Sequence, residues 1–144
     1  MASYTIDASV FLNAFNPREP DNAESQALLA RLQKQALPLI APTLLLPELA
    51  ATVSRGRQDA GLARRFAEAV SRMPNLILVP LDLALSRQAA EVAADHRLRG
   101  SDAVYAAVAL RFGATLVSLD REQLRRVRGI LRACSPLQAL REIR

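Results

Sequence analysis

The 144-residue sequence has one cysteine, one histidine and one lysine, and each scarcity removes a class of chemistry. Cys134 has no partner for an internal disulfide, which agrees with a reducing cytosol. His96 and Cys134 together cannot supply the paired Cys or His spacing of a structural zinc site. His96 lies in the charged run "ADHRLRG" and reads as a surface residue, so no Ser–His or Cys–His nucleophile is favoured. Cys134, in "LRACSP", reads as a buried small hydrophobe or a strand residue. A phosphoacceptor of the receiver type needs a lysine after its last strand, and Lys34 is far from that position.

Long apolar runs are also missing. The longest, "ALPLIAPTLLLP" at 36–47, is interrupted by Pro38, Pro42 and Pro47 and is too short to cross about 30 Å of hydrocarbon. No membrane span is expected. The opening "MASYTIDASVFLNAF" lacks a basic segment and places Asp7 where a signal peptide needs apolar residues, so export is not expected. There is no internal repeat and no polar low-complexity tract that would serve as a linker. With 51% hydrophobic residues, the chain is expected to fold as one domain around its own core.

What is present is alternation. Short β-branched or apolar runs at 4–6, 38–41, 76–79 and 115–119 read as strands. Helical patterns occupy 8–15, 22–35, 43–55, 58–73, 83–96 and 101–112, with a short helix after Asp120. A last helix starts where Ser135 caps and Pro136 takes the first helical position. On 58–73, Leu62, Phe66, Val70 and Met73 share one face, as core packing would require. Strands alternating with helices predict an α/β fold whose parallel sheet is covered on both faces.

In such folds ligands gather beyond the carboxyl ends of the strands, and acids stand there. Asp7 ends the first strand and Asp120 the last clear one. Glu48 follows the second strand by about one turn of helix, with Thr43 as a plausible cap. Asp102 opens the apolar helix "SDAVYAAVAL" but follows a helix and a loop, so topology alone does not bring it to the others. Each acid has an ordinary role available, as a cap, a turn residue or a partner of the helix dipole. Glu48 is harder to explain that way, because its neighbours are apolar and no basic partner precedes Arg55. Carboxylates gathered on one sheet edge would repel by about 4 kcal/mol per pair at 4 Å and an effective dielectric near 20. Arginine or a hard divalent ion bound through oxygen would offset that, and magnesium or manganese fits better than zinc.

The net charge is +5, concentrated in "REQLRRVRGILR" at 121–132, where five arginines face the single Glu122. Such a cluster attracts phosphate, although basic helix faces are often merely solvated.

Four segments, "YTIDASVFLNAF", "LLLPELAATVSR", "RGSDAVYAAVAL" and "TLVSLD", resemble in order those of the PIN-domain nucleases, and among them the VapC-type toxins of bacterial toxin–antitoxin pairs. The resemblance spans roughly residues 4–141. It implies a three-layer fold with a mostly parallel central sheet of about four or five strands, and residues 1–144 as a single PIN-like nuclease domain. It further implies that Asp7, Glu48, Asp102 and Asp120 line one pocket and hold one or two Mg2+ or Mn2+ ions. Asp7 and Asp102 would be direct ligands, while Glu48 and Asp120 bind a second ion or position its water. Ser118 and Ser9 match small polar positions beside the acids, ranked below them. Arg99, Arg121 and Arg125 become candidates for contacting substrate. The implied activity is hydrolysis of RNA phosphodiester bonds by a cytoplasmic toxin that pairs with a cognate antitoxin and forms a homodimer. A PIN nuclease of RNA processing and a non-catalytic RNA- or protein-binding scaffold are the alternatives.

Overall fold

The computed structural model describes residues 2–143. The elements run β1 (Tyr4–Ile6), α1 (Ala8–Phe15), α2 (Asn22–Lys34), β2 (Leu39–Pro42), α3 (Leu45–Arg57), α4 (Ala60–Ser71) and β3 (Leu76–Val79). They continue with α5 (Leu83–His96), α6 (Gly100–Phe112), β4 (Thr115–Val117), α7 (Arg121–Val127), β5 (Ala133–Cys134) and α8 (Pro136–Glu142). The strands form one parallel sheet of order β3-β2-β1-β4-β5, with Tyr4 in register with both Leu39 and Thr115. Every residue of β1 and β2 is buried, so both faces of the sheet are covered at its centre, as the apolar composition of these strands predicts, whereas edge strand β3 leaves Ile77 half-exposed. The fold is α/β.

From β1 the chain winds outward through β2 to β3, then returns to add β4 and β5 on the other side of β1. A reversal of this kind opens a crevice at the carboxyl ends of the two central strands, here β1 and β4. Asp7 and Ser118 are the residues that leave those strands, and the Asp7 N–H donates to the Val117 carbonyl at 3.0 Å.

Helix α6 is the centre of the core. Ala103 to Ala109 are all buried, and the helix packs against β1, β2, β4 and α5. Its alanines allow close approach to the sheet, and Gly113, at φ 63°, ends it with a left-handed cap that few other residues adopt without strain. The opposite behaviour is seen in α4, whose stripe is only partly covered: Val70 is buried, while Leu62, Phe66 and Met73 are half-buried. The Phe66 ring meets Phe15 of α1 at 4.4 Å between centroids.

Several boundaries differ from the sequence reading. The helix expected from residue 43 begins at Leu45, and Thr43 does not cap it; its hydroxyl accepts the Leu81 N–H at 3.2 Å. The strand expected to reach residue 119 ends at Val117, because Ser118 turns its hydroxyl to the acids described below. Cys134 is buried in β5, and Ser135 closes a capping box with Gln138 at the start of α8. Among the described residues no helix is long and apolar enough to cross a membrane.

Since α6 is enclosed on all sides, Ala106→Leu is expected to lower unfolding free energy by about 1–3 kcal/mol through overpacking. Phe112→Ala, at a half-exposed ring, should change it by less than about 0.5 kcal/mol. Urea denaturation of the two variants beside wild type checks the contrast.

Candidate active site

Asp7 caps α1 from the end of β1 and is 7% exposed. Its Oδ2 accepts the Ser9 N–H at 3.3 Å and the Ser118 hydroxyl at 3.2 Å. The same Ser118 oxygen accepts the Asp120 N–H at 3.0 Å, so one buried hydroxyl ties the ends of β1 and β4 together. Ser9 makes a parallel tie, its hydroxyl oxygen accepting the Leu119 N–H at 3.2 Å. Asp120 caps α7, with Oδ1 accepting from the N–H groups of Glu122 and Gln123 at 3.0 and 3.2 Å.

The other two acids arrive on helices. Glu48 lies in the first turn of α3, half-buried, and its Oε1 accepts the Tyr105 hydroxyl at 2.6 Å. Asp102 lies in the first turn of α6, and the fixed placement of that helix against the central strands brings it to the crevice. Arg99 spans the gap: its Nε donates to Asp102 Oδ2 at 3.3 Å and its Nη2 to Asp120 Oδ2 at 2.8 Å. The guanidinium approaches from the solvent side, with 78% of the side chain exposed, whereas the Asp102 side chain is only 14% exposed.

Electrostatics registers the crowding. Burial pushes the Asp7 carboxyl above the usual carboxylate range, and the Ser9 and Ser118 hydrogen bonds only partly restore it. Glu48 is raised first by burial and then by the charges of Asp7 and Asp102, against the Tyr105 hydrogen bond. Asp102 is raised by burial and by Asp7, with Arg99 opposing. The Tyr105 phenol, buried beside Glu48, is pushed far above its ordinary range and stays a donor.

All the converging donors are oxygens, three of them on carboxyl groups held above their ordinary pKa by burial and, at Glu48 and Asp102, by neighbouring acids. This set suits a hard divalent ion. Among the described residues no three carboxylates close into a tight cage, and Arg99 supplies positive charge at the mouth.

Of the candidate substrate-contacting arginines, Arg99 stands at the acids. Arg125 pairs with Glu122 and faces a neighbouring cleft, while Arg121 lines a separate one with Asp21 and Glu24. The basic stretch is partly neutralised, because Arg126 also pairs with Glu122 and Arg132 with Glu142. Tyr105 was not singled out by the sequence reading. Its signal was available, since it follows Asp102 by three residues and so shares its helix face.

The model of the PIN-domain family matches residues 4–130. No curated protein sequence matches the chain. Among solved structures, PAE2754 from Pyrobaculum aerophilum is similar at TM-score 0.72 and 21% identity, over 99% of this chain and 89% of that one. A chain of VapBC2 from Rickettsia felis, bound to a DNA fragment from the promoter, is similar at TM-score 0.70 and 17% identity, over 92% and 98%. Mycobacterium tuberculosis VapC20, described as a sarcin–ricin-loop-cleaving toxin, gives TM-score 0.70 and 17% identity, over 85% and 92%.

The raised carboxyl groups fix a sign for stability. Between the ordinary carboxylate pKa and the raised values, the folded chain holds protons that the unfolded chain has lost, so stability falls as pH rises through that window. In EDTA, the wild-type Tm should therefore fall as pH rises above the ordinary carboxylate range. Asp7→Asn, which keeps the helix cap, should flatten that drop and melt higher at the upper pH, with about 2–4 °C for each kcal/mol of strain removed. Adding Mg2+ should raise the wild-type Tm more than that of the variant. Calorimetric melts across pH read all three outcomes.

Proposed function

Because the chain belongs to the PIN-domain family, we propose that it is a metal-dependent endoribonuclease that hydrolyses RNA phosphodiester bonds as the toxin of a toxin–antitoxin pair. The observation that carries this reading is the convergence of Asp7, Glu48, Asp102 and Asp120 at the switch point of the sheet, with the first three held above the usual carboxylate range. Asp7 and Asp102 would hold a magnesium or manganese ion, with Glu48 and Asp120 serving a second ion or its water. Bound there, such an ion supplies charge stabilisation at the scissile phosphate and a more acidic attacking water.

The chain's own residues do the positioning. Ser118 fixes the Asp7 carboxylate and the Asp120 backbone in one frame, and Ser9 braces the same turn. Tyr105 orients Glu48 through a short hydrogen bond from a helix that cannot shift without disturbing the core. Arg99, exposed at the solvent edge, can turn from Asp102 and Asp120 toward an incoming phosphate, which accepts the same forked donors. Exposed Arg121 and Arg128, with Arg125 after release from Glu122, extend positive potential for RNA away from the acids.

The partner reading is supported by the similar structures, several of which are toxin–antitoxin complexes. An antitoxin offering a basic side chain to the carboxylates would satisfy the charge that a metal otherwise meets. A homodimer and a cytoplasmic location complete the proposal.

The test is cleavage of structured RNAs by the purified, antitoxin-free chain in Mg2+ or Mn2+ against EDTA. Cutting is expected only with metal, and a folded Asp102→Asn variant should lose at least about 100-fold of it. Metal-independent cutting, or full activity in Asp102→Asn, would contradict the assignment.

A further inference from the structure

Gln123 is the polar residue beside the acid cluster with the least ordinary explanation. It is the third residue of α7 after the cap Asp120, a spacing that commonly closes a capping box, with the glutamine reaching back to the cap's N–H. The chain uses that device at α8, where Gln138 Oε1 accepts the Ser135 N–H at 2.9 Å. At α7 the device is unused, because the Asp120 N–H donates to Ser118. The Gln123 side chain is left 1% exposed, with neither Nε2 nor Oε1 hydrogen-bonded among the described residues. Native proteins seldom bury a carboxamide in that condition.

Gln123 lines a cleft of about 350 Å³ together with Arg97, Arg99, Asp102, Asp120 and Arg126. That volume lies within the range of small-ligand pockets, about 300–1,000 Å³. A second cleft of about 240 Å³ shares Arg97 and Arg126 and adds Asp95, His96 and Arg125, so Arg97 and Arg126 stand at the junction of the two. Arg99 is engaged by Asp102 and Asp120, and Arg125 and Arg126 by Glu122. The Arg97 guanidinium makes no ion pair or hydrogen bond among the described residues, and its side chain is exposed. Acids and an exposed cation thus border one cleft, with an unpartnered amide buried in its wall. A nucleotide in an RNA strand offers the matching sequence of groups: the reacting phosphodiester, a base edge with donors and acceptors, and the next phosphate.

We infer that this cleft is the subsite for the nucleotide adjoining the scissile phosphate, with the Gln123 carboxamide rotating out of the cleft wall to hydrogen-bond the edge of its base and Arg97 holding its outer phosphate. The assignment rests on the ribonuclease reading above and adds to it the residue that sets base preference. Phosphate contacts position a strand while base contacts specify it, and single-stranded RNA is read on exposed base edges. Arg97 therefore governs affinity and Gln123 discrimination.

The test compares the wild-type chain with Gln123→Leu and Arg97→Ala. Leucine is similar in size and removes two unpaired polar atoms, so Gln123→Leu should melt at or above the wild-type temperature. Gln123→Met, unbranched like glutamine, replaces it should the leucine variant melt lower. A randomised single-stranded RNA pool, cut with Mn2+ and sequenced, gives base preference at each position beside the cut. Fluorescence anisotropy of the same RNAs in EDTA gives binding without cleavage. Wild type should favour particular bases next to the cut, and Gln123→Leu should lose about tenfold of that preference while still cutting, with a parallel loss in EDTA. Arg97→Ala should raise KM at unchanged kcat and lower the salt slope of binding by about one. Cutting without base preference beside the cut, or an unchanged preference in Gln123→Leu, would overturn the subsite and leave the nuclease standing. Base-selective binding lost in Gln123→Leu, without cutting by wild type, would support the subsite and overturn the nuclease. Neither binding nor cutting would overturn both.

Discussion

Burial of the Asp7, Glu48 and Asp102 carboxyls beside one another is the constraint around which the rest of this molecule is arranged. Each carboxyl is raised by burial, and Glu48 and Asp102 are raised further by neighbouring acids. Nothing in the stability of the chain requires these charges to be gathered, since acids at strand ends and helix starts can be satisfied singly by backbone N–H groups. They are instead held together by parts of the fold that cannot yield. Asp7 is fixed by the β1–β4 ladder and Ser118, Glu48 by Tyr105, and Asp102 by a helix enclosed over seven consecutive residues.

That arrangement explains why the most deeply buried helix and a largely exposed arginine meet at one point. Helix α6 presents Asp102 at its N-terminal turn, where the helix dipole favours negative charge. Its buried alanines leave it no freedom to withdraw the carboxylate from its neighbours. Arg99, one residue before the same helix, has the opposite character. It satisfies two acids through solvent-side contacts, which are modest in strength and reversible. A rigid acidic floor beneath a movable cation is the pattern expected of a site that exchanges one positive partner for another.

The sequence showed much of this and stopped at identifiable places. Asp7 and Asp120 were legible because strand ends in a parallel sheet define an edge, and the strands announced themselves as short apolar runs. Asp102 was not placed by topology, since a helix precedes it; its position follows from tertiary packing of α6 on β1, β2 and β4, which no local pattern encodes. Thr43 was expected to cap α3, but its hydroxyl serves Leu81, and α3 begins without a side-chain cap. The arginines at 121–132 read as one basic run, whereas Glu122 and Glu142 each hold partners from it. Gln123 was not singled out by the sequence reading, although its spacing from Asp120 is that of a capping-box residue. Only the competing hydrogen bond from Asp120 to Ser118 shows that its amide is free.

The most direct test is calorimetric titration of Mn2+ into the purified chain at several pH values rising from the ordinary carboxylate range, repeated in buffers of different ionisation enthalpy. Carboxyl groups raised by burial and crowding retain protons that a cation must displace, so saturable binding of one or two ions with release of protons is predicted. Binding without proton release, or heat unchanged when Asp7 and Asp102 are both replaced by Asn, would contradict the claim that these acids form one repelling cluster poised for a divalent ion.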